Sequence, residues 1–392
     1  MNFDLLNTKV QEFIDQSLML NFTKVALMKN PFPEIPWNEI LNQIASKAKA
    51  KDKLPTWYHK KNIIFPSKLS VEQTSSEVTA QYKASLISGK TLVDLTGGFG
   101  VDDYYFSKNF NRLIHCELKP DLHEIVKHNF CNLGAKNIEC FQGDSHKTLE
   151  NLQQHFDWIY IDPSRRSDAK GKVFMLKDCL PNVPEHLDFY FQYSDNILIK
   201  TAPILDITAG LTELRHVKEI QIVALNNEVK ELLWFIEKDF NESPKIVAVN
   251  LTKSANETFE FTLGKENFSC EYTLPKTYLY EPNSAIMKSG AFDLICSLYP
   301  VAKLHNFSHL YTNETLIDFP GRSFKINQVF EYNKSEMKTH LENQKANITT
   351  RNFPETVENI RKKWKIKDGG NLYTFFTTDL NTNKIVLLCE KI

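Results

Sequence analysis

The sequence predicts an α/β protein: a doubly wound, Rossmann-like sheet of seven strands with helices on both faces, a helical segment before it, and small α+β modules after it. Three observations predict this. Short apolar runs alternate with amphipathic stretches across residues 86–275, a glycine-rich turn follows the first run, and an acidic residue stands at or just past the end of each of the first four. Strand and helix alternating over such a length is the signature of βαβ units.

Residues 1–85 read as helical. Phe3, Leu5, Leu6, Val10, Phe13 and Ile14 recur at near-helical spacing, as do Ile40, Leu41 and Ile44 after the proline-rich break at 31–36. Lys47, Lys49, Lys51, Lys53, Lys60 and Lys61 cluster around Trp57, Tyr58 and His59. Two readings stand: a solvated helix end, or a nucleic-acid contact in which lysines meet phosphate and rings stack on a base.

The seven predicted strands are 91–95, 113–117, 137–142, 158–162, 196–199, 220–225 and 245–250, with amphipathic stretches such as 122–133 and 229–236 between them. After residue 276 the pattern changes to short strands, aromatic residues and loops. Residues 321–392 hold 13 Lys and Arg against 8 Asp and Glu, and 361–367 reads Arg-Lys-Lys-Trp-Lys-Ile-Lys. Either Trp364 and Ile366 are strand core with lysines on the wet face, or Arg361, Lys362, Lys363 and Lys365 contact RNA.

Composition sets limits. At 392 residues, with a net charge of −1, the chain has length for two or three domains and no global field that would attract nucleic acid. Its seven cysteines form no C-x-x-C pair, which favours free thiols in a reducing cytoplasm over a disulfide frame or a metal site. The first residues lack the basic start and apolar run of a signal peptide, and no stretch approaches the roughly 18 apolar residues of a membrane span. A cytoplasmic protein that binds neither membrane nor metal is expected.

The chemistry concentrates at the strand ends. After the first strand, Asp94 precedes Thr96, Gly97, Gly98 and Gly100, where glycines permit tight turns and close approach of backbone to a ligand. Glu117 closes the second strand, placed to accept hydrogen bonds from two ribose hydroxyls. Its spacing of 23 residues from Asp94 is near the ~20 expected of such an acid. Asp144 follows the third strand, as a ligand acid, as the N-cap of a helix over 145–155, or as both. Asp162-Pro163-Ser164-Arg165-Arg166 ends the fourth, with proline fixing the acid at the strand tip and two arginines able to grip phosphate or brace the loop.

The order D-L-T-G-G-F-G-V-D, a strand ending C-E-L, then G-D-S, then Y-I-D-P-S-R-R resembles class I S-adenosylmethionine-dependent methyltransferases over roughly residues 70–250. The resemblance implies that Asp94, Thr96, Gly97, Gly98 and Gly100 surround the methionine part of the cofactor. It likewise implies that Glu117 holds the ribose, that Asp144 and Ser145 lie against the adenine, and that Asp162, Pro163 and Arg165 form the catalytic motif. Thr96 stands where the usual turn has its first glycine, as in several RNA-modifying relatives, and Ser164-Arg165 stands where Pro-aromatic is usual.

The tracts Glu72–Ser76, 278–290, 319–322 and 346–370 are similar to bacterial members of that class carrying C-terminal ferredoxin-like and THUMP-like domains. Added to the helical 1–85 and the alternating 86–275 read from the residue pattern, that similarity implies a ferredoxin-like module at 276–320 and a THUMP-like domain at 321–392, with RNA (tRNA or rRNA) as substrate. It also implies that Thr74, Ser75 and Ser76 close over the cofactor, unless they are simply a helix N-cap series. The loop after the fifth strand, Lys200-Thr201-Ala202-Pro203, has no cysteine, so transfer to nitrogen or oxygen is expected rather than to uracil carbon-5. Two rival readings are a methyltransferase for a small molecule or protein, and a non-catalytic RNA-binding protein that keeps the fold.

Overall fold

The computed structural model describes residues 2–165, 175–264 and 269–392, with the side chain of Arg165 also outside the description. Arg166 therefore lies outside it. The chain forms two compact units, residues 1–218 with 233–242 and residues 219–232 with 243–392.

The first unit opens with short helices packed around Leu5, Val10, Ile14, Val25, Ile35, Ile40 and Ile44. Its sheet has five parallel strands: β1 (Gly89–Asp94), β2 (Phe110–Glu117), β3 (Ile138–Gln142), β4 (Trp158–Ile161) and β5 (Asn196–Thr201). They lie in the order β5-β4-β1-β2-β3. Two crossovers run one way from β1 and the next runs the other way, so a crevice opens between the carboxyl ends of β1 and β4. β1, β4 and β5 each carry a core of residues below one per cent exposed, among them Leu92, Val93, Ile159, Ile161, Leu198 and Ile199. The helical N-terminal segment is anchored to this fold by buried polar contacts: Asn129 pairs with both backbone groups of Ile64, and the Tyr105 hydroxyl donates to Glu77 at 2.7 Å. Trp57 is 1% exposed and packs on Tyr104 and Phe99, so the aromatic in the basic N-terminal cluster is core. Lys47 pairs with Asp15 and Lys49 with Glu72, at 3.2 Å.

In the second unit, β6 (Val217–Leu225) pairs in parallel with β8 (Lys245–Leu251), which pairs antiparallel with β9 (Glu257–Thr262). The stretch 229–236, expected as an amphipathic stretch between strands, is itself a strand, β7 (Glu228–Glu237), which the division at residues 232 and 233 splits between the two units. Its run Leu232–Ile236 is apolar on every side, a pattern that serves a buried strand as well as a helix. Two left-handed asparagines, Asn226 and Asn227, make the turn before it, and such residues mark a hairpin. β7 and β9 are strands beyond the seven expected.

The remaining residues build a seven-stranded sheet from β10 (Tyr278–Pro282), β11 (Ala302–Lys303), β12 (Tyr311–Asn313), β13 (Gly321–Glu331), β14 (Asn347–Thr350), β15 (Leu372–Thr378) and β16 (Lys384–Lys391). Its order is β11-β12-β10-β13-β16-β15-β14, antiparallel except for β14 on β15. Period-two alternation sends Phe375 and Leu387 to one core and Phe376 and Val386 to the other. A buried carboxylate links two of these strands and the residue that follows a third: Glu281 accepts from Arg322 Nε at 2.7 Å and from Arg351, just past β14, at 2.7 Å.

Two sequence expectations fail here. Residues 357–364 are a helix, not a strand, capped by Thr356 and burying Ile360 and Trp364 one turn apart. Cys270 and Cys296 are joined in a disulfide, so the free-thiol expectation fails for them; Cys116, Cys131, Cys140, Cys179 and Cys389 are free. A separation of 26 residues gave no local motif to read.

Candidate active site

Because β1 to β4 run parallel, their carboxyl ends share one edge, and the loops leaving it line a cavity of about 720 Å³. Asp94, Thr96, Gly97, Gly98, Glu117, Asp144, Ser145 and Asp162 all reach it, as does Thr74. Ser75, Ser76, Gly100 and Pro163 do not line it.

The loop after β1 is locked from both sides. Thr96 donates its backbone N–H and its hydroxyl to Asp94 Oδ1, at 2.7 and 3.0 Å, and its hydroxyl oxygen accepts the backbone N–H of Asp162 at 2.7 Å. One threonine thus ties the tips of β1 and β4 together, which a glycine could not do. The glycines have separate duties. A Cβ on Gly97 would meet the His115 ring at 2.1 Å, and one on Gly100 would meet Phe130 at 2.4 Å, so both are required by packing. Gly98, with φ +56°, has only the Thr96 carbonyl oxygen within 4 Å, at 3.6 Å, and faces open space. It is the glycine that leaves room for a ligand.

Below the loop lies the fully buried carboxyl of Asp103, whose Oδ2 is 2.6 Å from His115 Nδ1 and whose Oδ1 has no hydrogen-bond partner. Burial, reinforced by the Asp103 charge, lifts the Asp94 carboxyl well above its usual range, and burial does the same to Asp103. Burial, opposed by the Asp94 and Glu117 charges, holds His115 below its usual value, which favours the neutral imidazole.

Glu117 is positioned by its neighbours: one carboxylate oxygen accepts Gly98 N–H at 3.1 Å and the other accepts Lys119 N–H at 2.7 Å. The exposed side chain of Leu118 lines the cavity beside it. Asp144 caps the helix Ser145–Leu152, accepting the N–H groups of His146 and Lys147 at 3.0 and 3.1 Å, and it also borders the cavity. The cap reading of Asp144 is thus seen directly, and the cap leaves the residue at the cavity's border. Ser76 caps the helix Glu77–Leu86, while Ser75 is buried and donates to Asp102 Oδ2 at 2.9 Å. Ser164 and Arg165 pair as backbone with Cys179–Leu180, closing that side of the cavity's rim.

Sequence reasoning missed a charged cluster under Asp162. Lys200, at the end of β5, pairs with Asp162 and lies 3.7 Å from Asp102 Oδ2. Lys83, fully buried, lies 3.2 Å from Asp102 Oδ1, and the Tyr160 hydroxyl donates to Asp102 at 2.8 Å. Burial alone would raise the Asp102 carboxyl, but the Lys83 and Lys200 charges outweigh it and hold it low. An apolar strand ending in lysine at the same edge as the acids was the available signal for Lys200. Lys83 sits in an ordinary helical sequence and gave none.

Of the predicted RNA contacts, Arg361 binds Asp368 at 2.5 Å, and Lys363 binds Glu355 and the Tyr332 hydroxyl at 2.9 and 3.1 Å. Lys362 and Lys365 are exposed. Among the described residues no group of three or more His, Cys, Asp or Glu could hold a metal ion, and no helix is long and apolar enough to cross a membrane.

Known proteins place this arrangement. A crystal structure from Porphyromonas gingivalis W83, provisionally assigned as a methyltransferase, superposes with a TM-score of 0.88 at 30% identity, covering 98% of this chain and 97% of that one. Residues 278–320 match a ferredoxin-like domain model and 321–391 a THUMP domain-like model. The chain belongs to the bacterial class I methyltransferases with C-terminal ferredoxin-like and THUMP-like domains. Two further methyltransferase-fold structures are more distant from this family member. An rRNA methylase of Streptococcus thermophilus shares 13% identity over 41% of this chain and 95% of its own, at a TM-score of 0.30. A Streptococcus mutans protein, provisionally a methyltransferase and solved with SAH, shares 12% over 41% and 96%, also at 0.30. Similarity at that level adds nothing to the reading of the site. No curated protein matches the sequence.

Proposed function

We propose that this protein methylates RNA, tRNA or rRNA, at a nitrogen or oxygen atom, using S-adenosylmethionine. The observation that carries the reading is the convergence of Thr96, Gly98, Glu117, Asp144 and Asp162 on one cavity at the carboxyl edge of a parallel sheet. The donor set fits the cofactor: fixed carboxylates, an exposed leucine and an open glycine, with no Gly-Lys-Ser/Thr after the glycine turn to grip a polyphosphate, since Gly89-Lys90-Thr91 opens β1 and does not line the cavity. Glu117 would hold the ribose hydroxyls, since its two backbone contacts fix the carboxylate and leave lone pairs to accept more. Asp144 and Ser145 would border the adenine, Asp94, Thr96, Gly97 and Gly98 the methionine part, and Thr74 the entrance. Ser75 and Ser76 would act through Asp102 and through the helix cap, and Gly100 through the packing of the turn.

The cofactor supplies a methyl group on a positively charged sulfur. The chain's part is to hold an acceptor in line with it and exclude water. Asp162 and Pro163 occupy the strand tip where the acceptor would meet the methyl, with Arg165 following. The THUMP-like domain supports RNA as the acceptor's carrier, and Lys362 and Lys365 are its exposed candidates for phosphate contact. In this reading residues 1–85 form a helical domain, 86–275 the catalytic domain, and 276–320 and 321–392 the two C-terminal modules.

The deciding experiment is mass spectrometry of nucleosides from tRNA and rRNA of cells with and without the gene, paired with calorimetry of the purified protein against S-adenosylmethionine. One methylated nucleoside lost with the gene, together with cofactor binding, is expected. Cofactor binding with unchanged RNA would move the substrate to a small molecule or protein. No binding would leave a non-catalytic RNA-binding protein.

A further inference from the structure

The charged cluster beneath Asp162 bears on which acceptors the site can take. Lys200 is 9% exposed, and its Nζ contacts Asp162, Ser75 Oγ at 3.2 Å and Asp102 at 3.7 Å. Behind it, Lys83 holds the other oxygen of Asp102. Two ammonium groups therefore face two carboxylates, and the carboxylate presented to the cavity, with its side chain 38% exposed, is already neutralised.

Acceptors differ in what they ask of that floor. A neutral amine attacking a sulfonium methyl takes over the positive charge, which a bare carboxylate favours and an adjacent ammonium opposes. An acceptor that first gives up a proton attacks as an anion and ends uncharged, and an adjacent ammonium favours it. Resting on the methyl-transfer reading above, we propose that the cavity selects an acidic X–H acceptor that reacts as its anion, a ribose hydroxyl or a ring imide N–H, with Lys200 stabilising the anion and Asp162 receiving its proton. The X–H bond breaks with its electron pair staying on X and the proton passing to Asp162 and on to water. The new X–CH₃ bond then forms as the S–CH₃ bond breaks, its electron pair returning to sulfur to leave a neutral thioether. The positive charge lost from the sulfonium leaves as the proton that Asp162 hands to water, and Asp162 ends as the carboxylate it began as.

The test uses the full chain, S-adenosylmethionine with a deuterated methyl group, and total RNA from cells lacking the gene. Nucleoside fragmentation at the glycosidic bond assigns the methyl to ribose or to base. A methyl on ribose identifies the hydroxyl, and one on a ring imide nitrogen identifies the imide; either is the expected result. A methyl on an exocyclic amine overturns the proposal, and this arm needs only the wild-type protein. Lys200→Met is expected to lower turnover by roughly 100-fold or more, with cofactor affinity by calorimetry preserved. Its rate should climb with pH beyond the point where the wild type levels off, as the acceptor ionises unaided, and Lys200→Arg should restore part of the rate. A folded Lys200→Met protein with wild-type turnover and an unshifted pH profile overturns the proposal. A wild-type protein that neither binds the cofactor nor transfers methyl instead removes the methyl-transfer reading on which it rests, and the proposal falls with it.

Discussion

Gly97 and Gly98 are neighbours with opposite dependencies. Gly97→Ala drives a methyl into the buried His115 ring, so it should lower the melting temperature, at a cost of about 1–3 kcal/mol by overpacking. Gly98→Ala meets no atom closer than 3.6 Å but must hold φ at +56°, at a cost of about 1 kcal/mol. Its loss should appear in cofactor affinity by calorimetry, with the greater part of the stability kept. Equal effects of the two substitutions on both readouts would sink this division of labour. Glu117→Ala removes a charged acceptor and should weaken cofactor binding by about 1–3 kcal/mol; unchanged affinity would take Glu117 out of the ribose role. At this scale the sequence displayed the glycines and acids, because their chemistry is intrinsic to residue type. It could not display what Gly97 packs on or what Thr96 ties together, because His115 and Asp162 reach the loop only through the sheet.

Elements were legible where a short apolar run ends at a turn signal and illegible where the apolar run is long or nearly absent. The strands β1 to β5 were found to within three residues, since each ends at a turn signal. β7 was missed because its apolar run has no period, and the helix Val357–Trp364 because its two anchors, Ile360 and Trp364, are too few to show one. That helix sorts the basic tract by geometry. Arg361 and Lys363 are spent on intramolecular partners, while Lys362 and Lys365 point to solvent. Replacing Lys362 and Lys365 with Gln should reduce the slope of log K against log salt for RNA binding by about 1 to 2, with the fold intact by circular dichroism. An unchanged slope assigns the RNA surface elsewhere.

At the scale of the molecule, the sequence showed the change of pattern near residue 276 but not that one continuous sheet runs from β10 to β16, because the pairings that join its two parts, β10 with β13 and β13 with β16, link strands dozens of residues apart. The second unit also carries a pH-sensitive site that composition does not mark. His309, stacked on Phe292 with ring centroids 3.5 Å apart, is pushed down to about 4 by burial, then by the Lys303 and Arg351 charges, with Asp293 opposing them. A histidine whose folded value lies below its unfolded value of 6.5 supports the fold above about pH 6.5, and that support is lost as pH falls toward 4. Denaturant midpoints of the wild type should fall across that window. His309→Asn, which tolerates the left-handed backbone at φ +51°, should flatten the fall while lowering stability overall. An equally steep fall in the variant would place the sensitivity in another group.

The nearness of two buried carboxyls, Asp94 and Asp103, has a spectroscopic consequence. Asp94 Oδ1 already accepts two hydrogen bonds from Thr96, and burial with the Asp103 charge favours its protonated form, so a proton held there sits on the opposite oxygen of a carboxyl only 2% exposed. Such a proton is strongly deshielded and slow to exchange. It should appear as an isolated far-downfield line in the proton NMR spectrum of the resting protein and vanish in Asp103→Asn. Its position would then report, from under the loop, each change in charge that a ligand brings to the cavity above.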